Sequence, residues 1–123
     1  VNNREMIPRI VCLCGSTRFS EAYQQANFTE TLAGNIVLTI GCDMRTAGLY
    51  WQKSQEEIDS IKAQLDELHK RKIELADEIL VLNVGGYIGD STRSEIEHAR
   101  KYHKTIRYLE PIEGSQNARY EQS

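Results

Sequence analysis

The sequence predicts an α/β domain with a mostly parallel sheet and helices packed on both faces. Three observations carry this. Four apolar runs of strand length fall at residues 10–14, 36–40, 79–84 and 105–109. A stretch with helical period or helix-boundary signals separates each run from the next. Glycine stands at the joints where two of the runs turn into helices, at Gly15 and at Gly85, Gly86 and Gly89. The order β-α-β-α-β-α-β calls for parallel pairing, with right-handed crossovers carrying the helices to the sheet faces. The expected architecture is a single-domain Rossmann-like (flavodoxin-like) sandwich with four to five strands.

The first strand, residues 10–14, ends at Gly15, and Ser16, Thr17 and Arg18 form the turn into a helix at about 20–32. Ala22, Ala26, Phe28 or Thr29 and Leu32 supply its apolar side, and Gly34 with Asn35 stops it. The second strand, 36–40, runs into residues 41–53, which show no period and hold Tyr50 and the only tryptophan, Trp51. They read as a functional loop, with Trp51 as a lid over a bound base or as an anchor on the core. Ser54 and Glu57 have capping-box spacing. From there Ile58, Ile61, Leu65, Leu68, Lys72, Leu75 and Ile79 repeat at steps of three and four. This marks a long helix ending near Ala76, whose stripe is nearly a heptad seam, suited to the sheet or to a second copy of the chain. The third strand, 79–84, leads through the glycine-rich turn into a helix at about 91–102, and the last strand is 105–109. Residues 1–112 form the domain, and 113–123 read as a polar tail, frayed or bound to a partner.

Composition narrows the function. At 123 residues the chain fits one domain, and 40% hydrophobic with 27% charged residues is ordinary for a globular protein. A net charge of −3 argues against nucleic-acid binding despite the local run Lys70, Arg71, Lys72. No apolar run approaches the roughly 18 residues of a membrane span, and no signal-peptide core is seen, so a cytoplasmic protein without membrane contact is expected. Cys12, Cys14 and Cys42 read as buried thiols. Cys12 and Cys14 share a strand face, but no further ligand lies near them in sequence, so no metal site is expected.

In parallel sheets, ligands bind beyond the carboxyl ends of the strands where the winding reverses. The turn at 15–18, the loop after Ile40 and the turn at 85–94 all fall on that edge. Ser16, Thr17 and Arg18 offer hydroxyls, backbone N–H groups and a guanidinium fork to a phosphate, or Ser16 or Thr17 merely caps the next helix. Gly85, Gly86, Gly89, Ser91 and Thr92 form a second such turn. Tyr87 is able to stack on a base or to pack back on the sheet. Glu95 lies near the helix N-terminus, where a carboxylate acts as a nucleophile or closes a capping box with Thr92. Asp77 lies at the amino end of its strand. His69, His98 and His103 read as polar helix-face or helix-end residues.

With these residues placed, the chain resembles the nucleoside 2-deoxyribosyltransferase-like superfamily, which includes the 2'-deoxynucleoside 5'-monophosphate N-glycosidases. The resemblance rests on Leu13 to Phe19, similar to the family's first phosphate or sugar turn; on Leu75 to Val81, similar to its Ala-Asp-x-apolar motif; and on Ser94 to Ala99, similar to its Glu-(Leu/Ile)-x-x-Ala helix. The resemblance implies that Glu95 is the nucleophile attacking C1' of the sugar and that Asp77 helps to tune the site. It also implies that Ser16 and Arg18 hold the phosphate, with Ser91 in addition, in a substrate-binding turn that includes Gly15 and Thr17. Relatives often carry an acid ahead of the strand motif where this chain has His69, which is placed with the substrate-binding residues. The implied activity is a hydrolase or transferase of nucleotide metabolism, an N-glycosidase or deoxyribosyltransferase. It needs no cofactor and works as a homodimer or higher homo-oligomer. A non-catalytic nucleotide-binding module is the alternative.

Overall fold

The computed structural model describes residues 7–40, 53–112 and the backbone of 120–122. Strand β1 (Ile10–Cys14) is followed by α1 (Ser20–Leu32), β2 (Ile36–Leu38), α2 (Gln55–Leu75), β3 (Glu78–Val81), a 3-10 turn (Val84–Gly86), α3 (Asp90–Lys101), β4 (Thr105–Tyr108) and β5 (Tyr120–Gln122). The sheet order is β2-β1-β3-β4-β5; the first four strands are parallel and β5 is antiparallel to β4. This is the expected α/β architecture with one correction. The end of the polar tail supplies a fifth strand, because β4 would otherwise leave its outer ladder groups unpaired.

Helices α2 and α3 cover one face and α1 the other. Cys12, Cys14, Ile79, Val81 and Ile106 meet Ile73 of α2 and Ile96 and Ala99 of α3, while Val11, Leu13, Leu80 and Leu82 meet Tyr23 and Ala26 of α1. Strand alternation puts both thiols on the α2–α3 side. The capping box of Ser54 and Glu57 forms as expected, Glu57 N donating to Ser54 Oγ and Ser54 N to Glu57 Oε1, both at 3.1 Å.

Two helix faces differ from the sequence expectation. In α1 the buried residues are Tyr23, Ala26 and Glu30, whereas Phe28 and Leu32 are exposed. Glu30 takes an inward position because Arg107 of β4 meets it there, at 2.6 and 3.1 Å. In α2 the sheet-facing residues are His69, Ile73 and, at the C-cap, Ala76, offset from the expected stripe, whose Leu68 and Leu75 are exposed. Leu68 and Leu75 flank His69 and Ile73 on the same turns, while Ile58, Ile61 and Leu65 are half-buried, so the helix is rotated relative to the expected stripe where it crosses the sheet.

The winding reverses between β1 and β3, and the two strand ends approach closely there. Leu82 N donates to Cys14 O at 2.8 Å. Gly15 has φ of 155°, and a Cβ on it would lie 3.1 Å from Leu82 Cβ and 3.2 Å from Leu82 O. Gly15→Ala should therefore lower stability by about 1–3 kcal/mol, read as a lower urea midpoint at unchanged slope.

Candidate functional site

The mouth is built where β1 and β3 give way to α1 and α3, the position at which a doubly wound sheet leaves a crevice. Two turns line it and are joined by side chains. The Arg18 guanidinium lies 4.5 Å from the centroid of the Tyr87 ring, and Phe19 meets the same ring edge-on at 6.0 Å. The first turn is held from inside: Tyr23 Oη donates to Gly15 O at 2.7 Å, Phe19 N to Ser16 O at 3.1 Å and Arg18 N to Ser16 Oγ at 3.3 Å. Ser16 therefore shapes the turn, while Phe19, not Ser16 or Thr17, occupies the N-cap of α1.

The glycine turn is a different kind of object from the cradle the sequence suggests. Gly85 and Gly86 have φ of 64° and 82°, conformations that favour glycine. Their amides already have protein partners: Gly85 N donates to Glu110 Oε2 at 2.9 Å, Gly86 N to Asn83 O at 2.9 Å and Tyr87 N to Val84 O at 3.1 Å. Asn83 completes the lock, exchanging two hydrogen bonds with the Glu110 backbone at 3.0 and 2.9 Å. Gly85 and Gly86 thus fix the path from β3 to α3 instead of presenting amides to a ligand. The N-terminus of α3 is the anion-favouring element next to them. Its N-cap is Gly89, which supplies no side-chain cap. Tyr87 packs over this glycine, its hydroxyl 3.0 Å from where a Cβ would stand.

Glu95 does not cap the helix. With Gly89 at the N-cap, Glu95 lies in the second turn and Thr92 in the first, and both side chains are buried. The capping alternative for this pair is thereby removed. Glu95 interacts with the Cys14 thiol and feels the charges of His69 and Cys12. Burial pushes its carboxyl up to about 7, with His69 working in the opposite direction.

Beside Glu95 lies a cluster that sequence reasoning did not assemble. His69 Nε2 is 3.6 Å from Cys12 Sγ, 3.6 Å from Cys14 Sγ and 3.0 Å from Leu13 O. The expectation that no ligand-type group joins the two thiols is overturned, because α2 returns His69 to the sheet 55 residues after Cys14. The three side chains form a group able to hold a metal ion. The hydrogen bond from Cys14, helped by His69 and Lys72, brings the Cys12 thiol down to about 6, while that same bond and burial push Cys14 up. Burial disfavours the His69 cation, but the contact with Cys12 and the charge of Glu95 outweigh it and raise the imidazole. The contact favours the charged form of each partner, and Lys72 is anchored nearby through Nζ to Thr39 O at 2.7 Å. The spacing of His69, Ile73 and Ala76 on α2 is the signal that would have revealed the histidine as sheet-facing.

Asp77 is placed elsewhere. Its Oδ2 accepts from Ile10 N, and its own N donates to Ile10 O, both at 2.8 Å, at the amino ends of β1 and β3. That is roughly 13 Å of strand away from Cys14, so Asp77 and Glu95 are not brought together. Ser91 is exposed in the first turn of α3. His98 lies in the last turn of α3 as expected, but its ring faces α2 instead of solvent, with Nε2 2.7 Å from Glu74 Oε2. Tyr50, Trp51 and Cys42 lie outside the described residues. No helix of the described residues is long and apolar enough to cross a membrane. No protein-family model matches the sequence, and no curated protein matches it.

Proposed function

We propose that the chain is an N-glycosidase or deoxyribosyltransferase acting on a nucleoside 5'-monophosphate or a related nucleotide, with Glu95 as the nucleophile. The observation that carries this reading is a glutamate that buries its carboxyl at the switch-point mouth instead of capping its helix. The carboxylate attacks C1', and the C–N bond breaks with its electron pair leaving on the base, which takes up a proton. A glycosyl ester on Glu95 results. Water or an acceptor base then attacks C1' and frees the carboxylate. Positive charge at the His69 position favours the ionised form of Glu95 against its burial. Arg18 and the N-terminus of α3 suit the 5'-phosphate, and Tyr87 offers a ring to the base or sugar.

The test is incubation with a panel of deoxyribo- and ribonucleotides followed by detection of free base; no base from any of them excludes the hydrolase. Arg18→Ala is expected to raise KM for a 5'-monophosphate by about 10-fold or more with a smaller change in kcat, and to leave KM for the corresponding nucleoside nearly unchanged. Initial-rate kinetics on both substrates check this. A second reading, a nucleotide-binding module without turnover, is favoured by one observation: burial holds Glu95 partly protonated near neutral pH. It predicts nucleotide affinity with neither free base nor adduct. For assembly, the exposed Leu68 and Leu75 of α2 support pairing of two chains in a cytoplasmic homo-oligomer.

A further inference from the structure

We propose that Cys12, Cys14 and His69 form a binding site for one zinc ion, tying β1 to α2 beneath the mouth. Two sulfurs and an imidazole nitrogen are the soft and borderline donors that favour zinc over calcium, magnesium or manganese. Their spacing is already near that of a filled site. With Zn–S of about 2.3 Å and Zn–N of about 2.0 Å at the tetrahedral angle, sulfur and nitrogen stand about 3.5 Å apart. Both Cys Sγ–His69 Nε2 distances are 3.6 Å, and all three donor atoms lie within 4.8 Å of one another. Small side-chain shifts around a central ion therefore suffice.

Charge and protons balance without a redox partner. Two thiolates and a neutral imidazole around Zn²⁺ give a complex of zero net charge, suited to three side chains that are all buried. Two protons leave to solvent on binding, whether the trio starts as neutral thiols with neutral imidazole or as a thiolate–imidazolium pair beside one thiol. His69 Nε2 must give up its contact with the Leu13 carbonyl, and the ring proton then resides on Nδ1. That atom is buried and has no hydrogen-bond partner among the described residues, so no bond is broken there, and the metal bonds must outweigh the cost of an unpaired Nδ1–H. Three protein ligands leave a fourth position for water or a further donor. Glu95 adjoins the site through Cys14 and His69 but is not needed to balance the charge, so Glu95→Gln tests zinc binding and turnover separately.

The experiment uses the full chain, reduced and stripped with a chelator. Zn²⁺ is titrated in competition with a chromophoric chelator, and Co²⁺ serves as a spectroscopic probe of thiolate ligation. The expected result is one Zn²⁺ per chain with Kd below about 1 μM, thiolate-to-cobalt charge-transfer absorption, and release of two protons. Cys14→Ser and His69→Gln should each weaken binding about 100-fold or more, while Glu95→Gln should bind within a few-fold of the parent chain. His69→Cys retains a thiolate-type donor at the third position and should keep submicromolar binding; it carries the test if another variant fails to fold by circular dichroism. No stoichiometric binding by the folded reduced chain, or affinity unchanged in the folded Cys14 and His69 variants, overturns the proposal. Loss of base release in Glu95→Gln with zinc binding retained supports both readings, and zinc binding without base release from any nucleotide overturns only the glycosidase.

Discussion

Glu95→Gln is expected to reduce base release by about 10³-fold or more and at the same time to stabilise the metal-free protein at pH 8. The two effects have one cause. Burial raises the carboxyl of Glu95 from its ordinary value of 4.5 to about 7 in the folded state. Between those values the folded chain holds a proton that the unfolded chain has released. The contribution of this group is therefore fully favourable below about pH 4.5 and is lost as pH rises through about 7. The loss at pH 8 is about 3 kcal/mol, and glutamine, which stays neutral, escapes it. Urea unfolding in the presence of chelator should show the variant close to the parent chain at pH 5 and more stable at pH 8. Activity of the parent chain should rise with pH through about 7, since only the ionised carboxylate attacks. A glutamate placed to cap or to brace the helix would show the opposite stability change.

The largest loss of stability is expected from Arg107. Its guanidinium meets Glu30 at 2.6 and 3.1 Å and Glu78 at 3.3 Å, and both carboxylates are buried. Arg9 also reaches Glu78, at 3.2 Å, but its side chain is half exposed. Arg107→Met leaves Glu30 without its ion-pair partner on the α1 side of the sheet, which is expected to cost about 3–5 kcal/mol. Combining it with Glu30→Gln should recover a good part of that loss, because the stranded charge is then removed. The arginine holds the Glu30 carboxyl below its ordinary value, so this stabilisation is present above about pH 4.5 and falls away as pH drops further. Urea midpoints of the single and double variants, measured at pH 7, decide the matter.

The architecture was legible because it depends on pattern: apolar runs of strand length, one capping box and the placement of glycines. The end of α1 followed from Gly34 and Asn35, and the start of α2 from the capping box at Ser54. What remained hidden depends on contacts between distant segments. Glu30 reads as a surface residue until Arg107 comes opposite it from β4. His69 reads as part of a basic helical run until the offset of α2 sets its ring on the two thiols of β1. In the same way, the glycine turn looks like a phosphate cradle when read alone, yet Glu110, 25 residues later, already occupies the Gly85 amide. Glu95 was ambiguous for a local reason: its spacing from Thr92 imitates a capping box, and only the true N-cap at Gly89 resolves it.

The account is tested most directly by mapping the covalent intermediate. The chain is mixed with deoxynucleoside 5'-monophosphates, quenched in acid and digested, and the peptides are weighed by mass spectrometry. The account predicts added mass of a deoxyribose phosphate on the peptide that contains Glu95, with fragment ions locating it to that carboxyl, and no adduct in Glu95→Gln. Free base released with the adduct on another residue, or undiminished release by Glu95→Gln, would contradict it.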